Sequence, residues 1–135
     1  MKEIRIEAKV HNLEEVQQFV NEQLIEHGCP AKVRTQISIA VEEIFVNIAS
    51  YAYDPGTGAV QIQTEIVFNP RKIEISFTDT GVPYNPLAKD DPDTTLSAER
   101  RQIGGLGIFM VKKSMDDMKY EYHDGKNILT IEKKF

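Results

Sequence analysis

VEEIFVNIASYAY occupies residues 41–53. Val41, Ile44, Phe45, Val46, Ile48 and Ala49 leave this helical run little polar surface, and it closes a longer stretch, 31–52, that is apolar on most sides. A helix of that kind is buried, so the rest of the chain is expected to be built around it. Two residues break the pattern. Glu43 and Asn47 stand four apart and share one helix face, whereas Glu42 points about 100° away. A carboxylate and an amide placed there either form a solvated stripe or look into a site. For the second reading, an amide oxygen suits Mg²⁺, which takes few protein ligands and keeps water and phosphate oxygens as the rest. The carboxylate beside it suits proton acceptance from an attacking hydroxyl.

Working outward, KEIRIEAKV at 2–10 alternates apolar and polar residues and predicts a half-buried strand. Asn12, with Glu15 three residues on, predicts a capping box for a helix over 13–27 that buries Leu13, Val16, Phe19, Val20 and Leu24. Gly28-Cys29-Pro30 stops it. Beyond the central helix, residues 53–58, YDPGTG, are turn chemistry. AVQIQTEIVF and KIEISFTD then alternate on either side of Asn69-Pro70-Arg71, an antiparallel hairpin. Residues 80–104 hold three of the six prolines and little periodicity, the profile of a functional loop or lid. GGLGIFMVKKSMDDM continues as a helix, and the chain closes on a hairpin around Asp124-Gly125. The order β-α-α-β-β-lid-α-β-β predicts one domain over 1–135. It is an α/β (α+β) two-layer sandwich, a mixed, largely antiparallel sheet with three helices on one face.

Composition narrows the classes. The 135 residues suffice for a real core, and 41% of them are apolar. A net charge of −5 carries no nucleic-acid footprint, which needs a basic face. No stretch approaches the ~20 apolar residues of a membrane span, and the charged N-terminus is not a signal peptide, so a cytoplasmic protein is expected. The single cysteine, Cys29, excludes an internal disulfide and is read as a helix-linker residue. His11, His27 and His123 lie on separate elements and read as surface residues.

Two further places carry chemistry. In FTDTGVPYNP, residues 77–86, Asp79 ends a strand and Gly81 follows by two. Such a carboxylate can accept from an exocyclic amine, and a nearby glycine lets a flat ring approach the backbone; a plain strand-ending turn fits the spacing as well. Gly104-Gly105-Leu106-Gly107 opens a helix, leaving backbone N–H groups where phosphate binds well, or else serving as a lid hinge. It is neither a Walker A loop nor a dinucleotide fingerprint, since no Gly-Lys-Ser/Thr follows and Met110 stands where the third glycine would be.

In this order and spacing the three signals resemble the GHKL (histidine kinase-like) ATPase superfamily. Glu43 and Asn47 look like its N box, Asp79 and Gly81 its G1 box, and Gly105 and Gly107 its G2 box. VEEIFVNIASYAY, FTDTGVPYNPL and GGLGIFMVKK look like the small single-domain branch of anti-sigma factor serine kinases. The resemblance implies a Bergerat-type fold, ATP and Mg²⁺ as cofactors, and a protein serine/threonine kinase of bacterial partner switching. Its substrate would be a small anti-sigma-antagonist protein, a sigma factor a possible second target, and the protein a homodimer. Glu43 would be the general base and Asn47 the Mg²⁺ ligand. Asp79 would read the adenine amino group and Gly81 would admit the ring. Gly104, Gly105 and Gly107 would wrap the phosphates, and Thr130 would lie near adenine. Arg100, Arg101, Lys112 and Lys113 flank the glycines and read first as a solvated lid and helix surface, with contact of one of them to the γ-phosphate as the alternative. Pro83 stands where larger relatives carry a second glycine, and Tyr51 where some of the serine kinases have a histidine. The alternative is an ATP-dependent interaction module without kinase activity.

Overall fold

The structure is a computed structural model and describes residues 1–87 and 106–135. Strand β1 (Lys2–Glu7) leads through a 3-10 turn (Val10–Asn12) into helix α1 (Leu13–Glu26), and α2 (Ala31–Tyr51) returns antiparallel to it. Strands β2 (Ala59–Val67) and β3 (Lys72–Asp79) follow, then α3 (Leu106–Ser114), β4 (Asp117–His123) and β5 (Lys126–Lys134). The five strands form one sheet in the order β1-β2-β3-β5-β4.

Every pairing is antiparallel. The sheet is therefore antiparallel throughout rather than mixed, and the reason is the α1–α2 hairpin. With two helices between β1 and β2 the chain reverses three times, at β1–α1, α1–α2 and α2–β2, so β2 comes back alongside β1 in the opposite sense. The 124–125 turn has positive φ at both Asp124 (50°) and Gly125 (74°), the geometry whose twist matches paired strands. It seats β5 between β3 and β4.

One sheet face carries the apolar residues of the alternating pattern: Val60, Ile62, Ile73, Ile75, Phe77, Leu129 and Ile131 are all buried. The helices cover that face with Val16, Val20 and Leu24 of α1, Ile37, Val41, Ile44 and Phe45 of α2, and Ile108 and Val111 of α3. Phe45 and Phe77 are wholly buried, and each such side chain contributes about 1.5–3 kcal/mol by leaving water. The other face is polar, with Gln61, Gln63, Glu74, Ser76, Thr78, Thr130 and Glu132. The edge strands carry Lys2, Glu3, Arg5 and Glu7 on one side and Asp117, Lys119 and Glu121 on the other, charges that discourage further strand pairing.

Two local expectations change. Asn12 precedes α1 but makes no side-chain cap; its amide donates to the Glu7 carbonyl at 3.0 Å. The 3-10 turn holds Asn12 at φ −92°, ψ 0°, outside the extended conformation that a capping residue adopts. Helix α1 also buries a polar residue, Gln23, which accepts from the Thr64 hydroxyl of β2 and donates to the Phe19 carbonyl. The expected lid over 80–104 lies outside the described residues beyond position 87.

Candidate functional site

A cavity of about 210 Å³ opens between α2 and the sheet. Ile44, Ile48 and Ala52 form its helix wall, Phe77 and Leu129 its sheet wall, and Val82, Pro83 and Pro86 its rim. Into these apolar walls come Asn47, Asp79 and Asn127. A largely apolar cleft with a few convergent polar groups is the usual form of a small-molecule site.

Asp79 ends β3 on the inward phase of the strand and is 6% exposed. Its Oδ1 accepts from the Gly81 N–H at 2.9 Å and from Asn127 Nδ2 at 3.0 Å. Gly81 lies against the end of α2: a Cβ there would stand 2.2 Å from the Ala52 carbonyl oxygen, so only glycine fits. The next amide, Val82 N–H, donates to that carbonyl at 2.9 Å. Tyr53 braces the same corner, its hydroxyl donating to the Ala59 carbonyl at 2.6 Å and accepting from the Thr80 N–H at 2.8 Å.

Asn47 lines the cavity from α2. Glu43 stands one turn earlier, and its carboxylate packs on Gly107 of α3, where a Cβ would meet Oε2 at 2.3 Å. Glu42 is exposed, as its angle on the helix requires. Asn47 and Asp79 thus line the cavity, Gly81 hydrogen-bonds Asp79 at its floor, and Glu43 and Gly107 lie against each other one turn along from Asn47, outside the lining. Gly104 and Gly105 lie outside the described residues, as do Arg100 and Arg101. Lys112 and Lys113 are exposed on α3, Lys113 with its ammonium 5.4 Å from the centre of the Phe109 ring.

Thr130 is not brought to the cavity. It sits between buried Leu129 and Ile131, so it points to the opposite sheet face, where its hydroxyl pairs with Ser76 at 2.9 Å. The polar residue of β5 that reaches the site is Asn127, which the sequence reading passed over. Its signal was phase: Asn127, Leu129 and Ile131 share one side of the strand. Tyr84 and Tyr120 also line the cavity, and burial pushes both phenols up, so they are hydrogen-bond donors at neutral pH.

Cys29 is buried in the α1–α2 linker, and burial raises its thiol above the ordinary range, which makes it a packing residue. Among the described residues no cluster of three or more His, Cys, Asp or Glu side chains is placed to hold a metal, and no helix is long and apolar enough to cross a membrane. A single amide oxygen at Asn47 fits Mg²⁺ only as a cation held largely by phosphate and water.

An antiparallel five-stranded sheet with three helices on one face, and a carboxylate-floored cleft beneath the long helix, make an α+β domain with a small-molecule cleft between its layers. Residues 6–133 match the family model for the histidine kinase-like ATPase domain, and the chain belongs to that family. It is similar to the serine/threonine-protein kinase BtrW of Bordetella bronchiseptica, 29% identical over 75% of this chain and 70% of that protein. It is also similar to the serine-protein kinase RsbW of Listeria monocytogenes, 29% identical over 69% of this chain. The match spans 61% of that kinase's length. Among solved structures, the histidine kinase domain of the Erythrobacter litoralis EL346 blue-light activated histidine kinase matches with a TM-score of 0.53 at 16% identity. That match covers 76% of this chain and 45% of that one. A chain of the SiaB–SiaC complex from Pseudomonas aeruginosa matches with a TM-score of 0.51 at 11% identity, covering 98% of this chain and 89% of that one. At those identities the likeness is one of fold.

Proposed function

We propose that the protein binds Mg²⁺-ATP in the cleft between α2 and the sheet and transfers the γ-phosphoryl group to a serine of a small anti-sigma-antagonist protein. What carries the reading is Asp79: a buried carboxylate on the floor of an apolar cleft, with its two hydrogen bonds from the described residues on one oxygen. That floor suits a flat heterocycle bearing an amino group. The kinase names of two relatives at 29% identity support the reaction class.

In this reading the adenine ring lies between Ile48 and Phe77 walls, with its amino group donating to Asp79. Asn47 would hold Mg²⁺, which would supply neutralisation of phosphate charge. Glu43 accepts the proton of the serine hydroxyl as its oxygen forms the new bond to phosphorus and the bond to the ADP oxygen breaks. Gly107 keeps the Glu43 carboxylate close to the start of α3, where Gly104 and Gly105 would lend amide donors to phosphate. The unphosphorylated partner binds and phosphorylation releases it, freeing the kinase for a sigma factor. The protein would work in the bacterial cytoplasm as a homodimer, its 80–104 segment serving as the ATP lid.

Calorimetric titration with ATP, with and without Mg²⁺, tests the site. Binding should require Mg²⁺ and fail in Asp79→Asn. Label transfer from γ-labelled ATP to the partner serine tests the chemistry: Glu43→Ala should keep nucleotide binding and lose transfer. Transfer that survives this change removes Glu43 from its role, and binding without transfer in the wild type leaves an ATP-dependent interaction module.

A further inference from the structure

Asn127 spends every polar atom it has. Its Oδ1 accepts from the Tyr84 N–H at 3.1 Å and from the Tyr120 hydroxyl. Its Nδ2 donates to Asp79 Oδ1 at 3.0 Å and to the Val82 carbonyl at 3.0 Å, with the Gly81 carbonyl at 3.4 Å. A main-chain N–H cannot accept and a carbonyl cannot donate, so the amide has one possible orientation and its NH₂ must face Asp79.

We propose that Asn127 is the positioning residue that sets the polarity of the cavity floor, committing one oxygen of Asp79 and leaving the other to select purines that carry an amino group at that point. The proposal rests on the nucleotide reading above. Gly81 N–H and Asn127 both donate to Oδ1, whereas no hydrogen bond from the described residues reaches Oδ2. Asp79 lines the cavity, and Oδ2 is the oxygen that these two donors leave uncommitted. A carboxylate oxygen presented alone matches a donor and repels a carbonyl oxygen. That favours the amino group of adenine over the carbonyl that guanine carries at the same ring position.

The same amide sets the rim. Val82 and Tyr84 flank Pro83, and all three line the cavity. Through the Val82 carbonyl and the Tyr84 N–H, one side chain from β5 holds the floor and the rim at a fixed separation. A threonine at position 127 has one O–H and could not donate to both Asp79 and the Val82 carbonyl, and an aliphatic residue could serve neither.

The test titrates Mg²⁺-ATP and Mg²⁺-GTP into the wild type, Asn127→Ala and Asn127→Asp, and follows amide hydrogen exchange at Gly81, Val82 and Tyr84 without nucleotide. The wild type should prefer ATP. Asn127→Ala should lose about tenfold to hundredfold of ATP affinity, the ATP-to-GTP ratio should collapse, and the Tyr84 amide should exchange faster. Asn127→Asp places a second carboxylate beside Asp79, and such pairs share a proton. Its ATP affinity should therefore fall as pH rises from about 6 to about 8, while the wild type shows no such fall. The Tyr84 and Tyr120 phenols that also line the cavity are pushed up by burial and stay protonated in that window. Should Asn127→Ala not fold, this pH profile decides. Wild type that prefers ATP, with a ratio unchanged in folded Asn127→Ala or a flat profile in Asn127→Asp, overturns this proposal alone. Wild type that binds neither nucleotide overturns the nucleotide reading and this one with it.

Discussion

A single methyl group separates the tasks of two glycines. At Gly81 an added Cβ would meet the Ala52 backbone carbonyl, which cannot move without unwinding the end of α2. Gly81→Ala should cost about 1–3 kcal/mol, read as a lower urea midpoint with an unchanged slope. At Gly107 the neighbour is the far end of the flexible Glu43 side chain. Gly107→Ala should therefore leave stability intact or raise it by up to about 1 kcal/mol through helix propensity. The carboxylate would be displaced, so phosphotransfer should fall while ATP binding remains. The Glu43 and Asn47 face was legible in the sequence because helical spacing is local. Strand phase, equally local, separates Thr130 from Asn127: the alternation through buried Leu129 and Ile131 puts Asn127 on the cavity side and Thr130 on the other, although the family resemblance implies Thr130.

Between elements, one contact ties the layers together and another works against a strand pairing. The Thr64 hydroxyl and Gln23 tie β2 to α1 inside the core. Thr64→Val leaves the Gln23 oxygen buried without its donor and should cost about 1–3 kcal/mol by chemical denaturation. On the polar sheet face Glu74 stands directly opposite Glu132, with Lys72 reaching both at 3.8 and 3.4 Å. The hydrogen bond between the two carboxyls, burial and the Glu132 charge together raise the Glu74 pKa above the ordinary carboxylate range. A raised acid binds more protons in the folded state than in the unfolded one, so stability falls as pH climbs from the unfolded value through the folded value. Glu74→Gln should remove that slope and gain about 0.5 kcal/mol at neutral pH, seen in melting curves from about pH 4 to about pH 8. Neither contact shows in local periodicity, because Gln23 and Thr64, or Glu74 and Glu132, are remote in the chain.

At the level of the whole molecule, one apolar layer joins five strands to three helices, and Phe45 lies fully buried within it. Phe45→Ala should cost about 3–5 kcal/mol and, since Ile44 beside it lines the cavity, should weaken ATP binding through the fold rather than through a lost contact. The sequence by itself determined the order of elements, the sidedness of each strand and the shared face of Glu43 and Asn47, whereas the central helix it marked as apolar on most sides buries one face and leaves Ile39 and Tyr51 exposed. Those three features follow from spacings of two to four residues, which sterics and hydrogen bonding enforce locally. Only the tertiary structure decided that the sheet is antiparallel throughout, that β5 lies between β3 and β4, and that Asp79 meets Asn127 across that pairing. Register between distant strands is chosen by packing against the helices and by closing loops of tens of residues, and no local pattern carries that information.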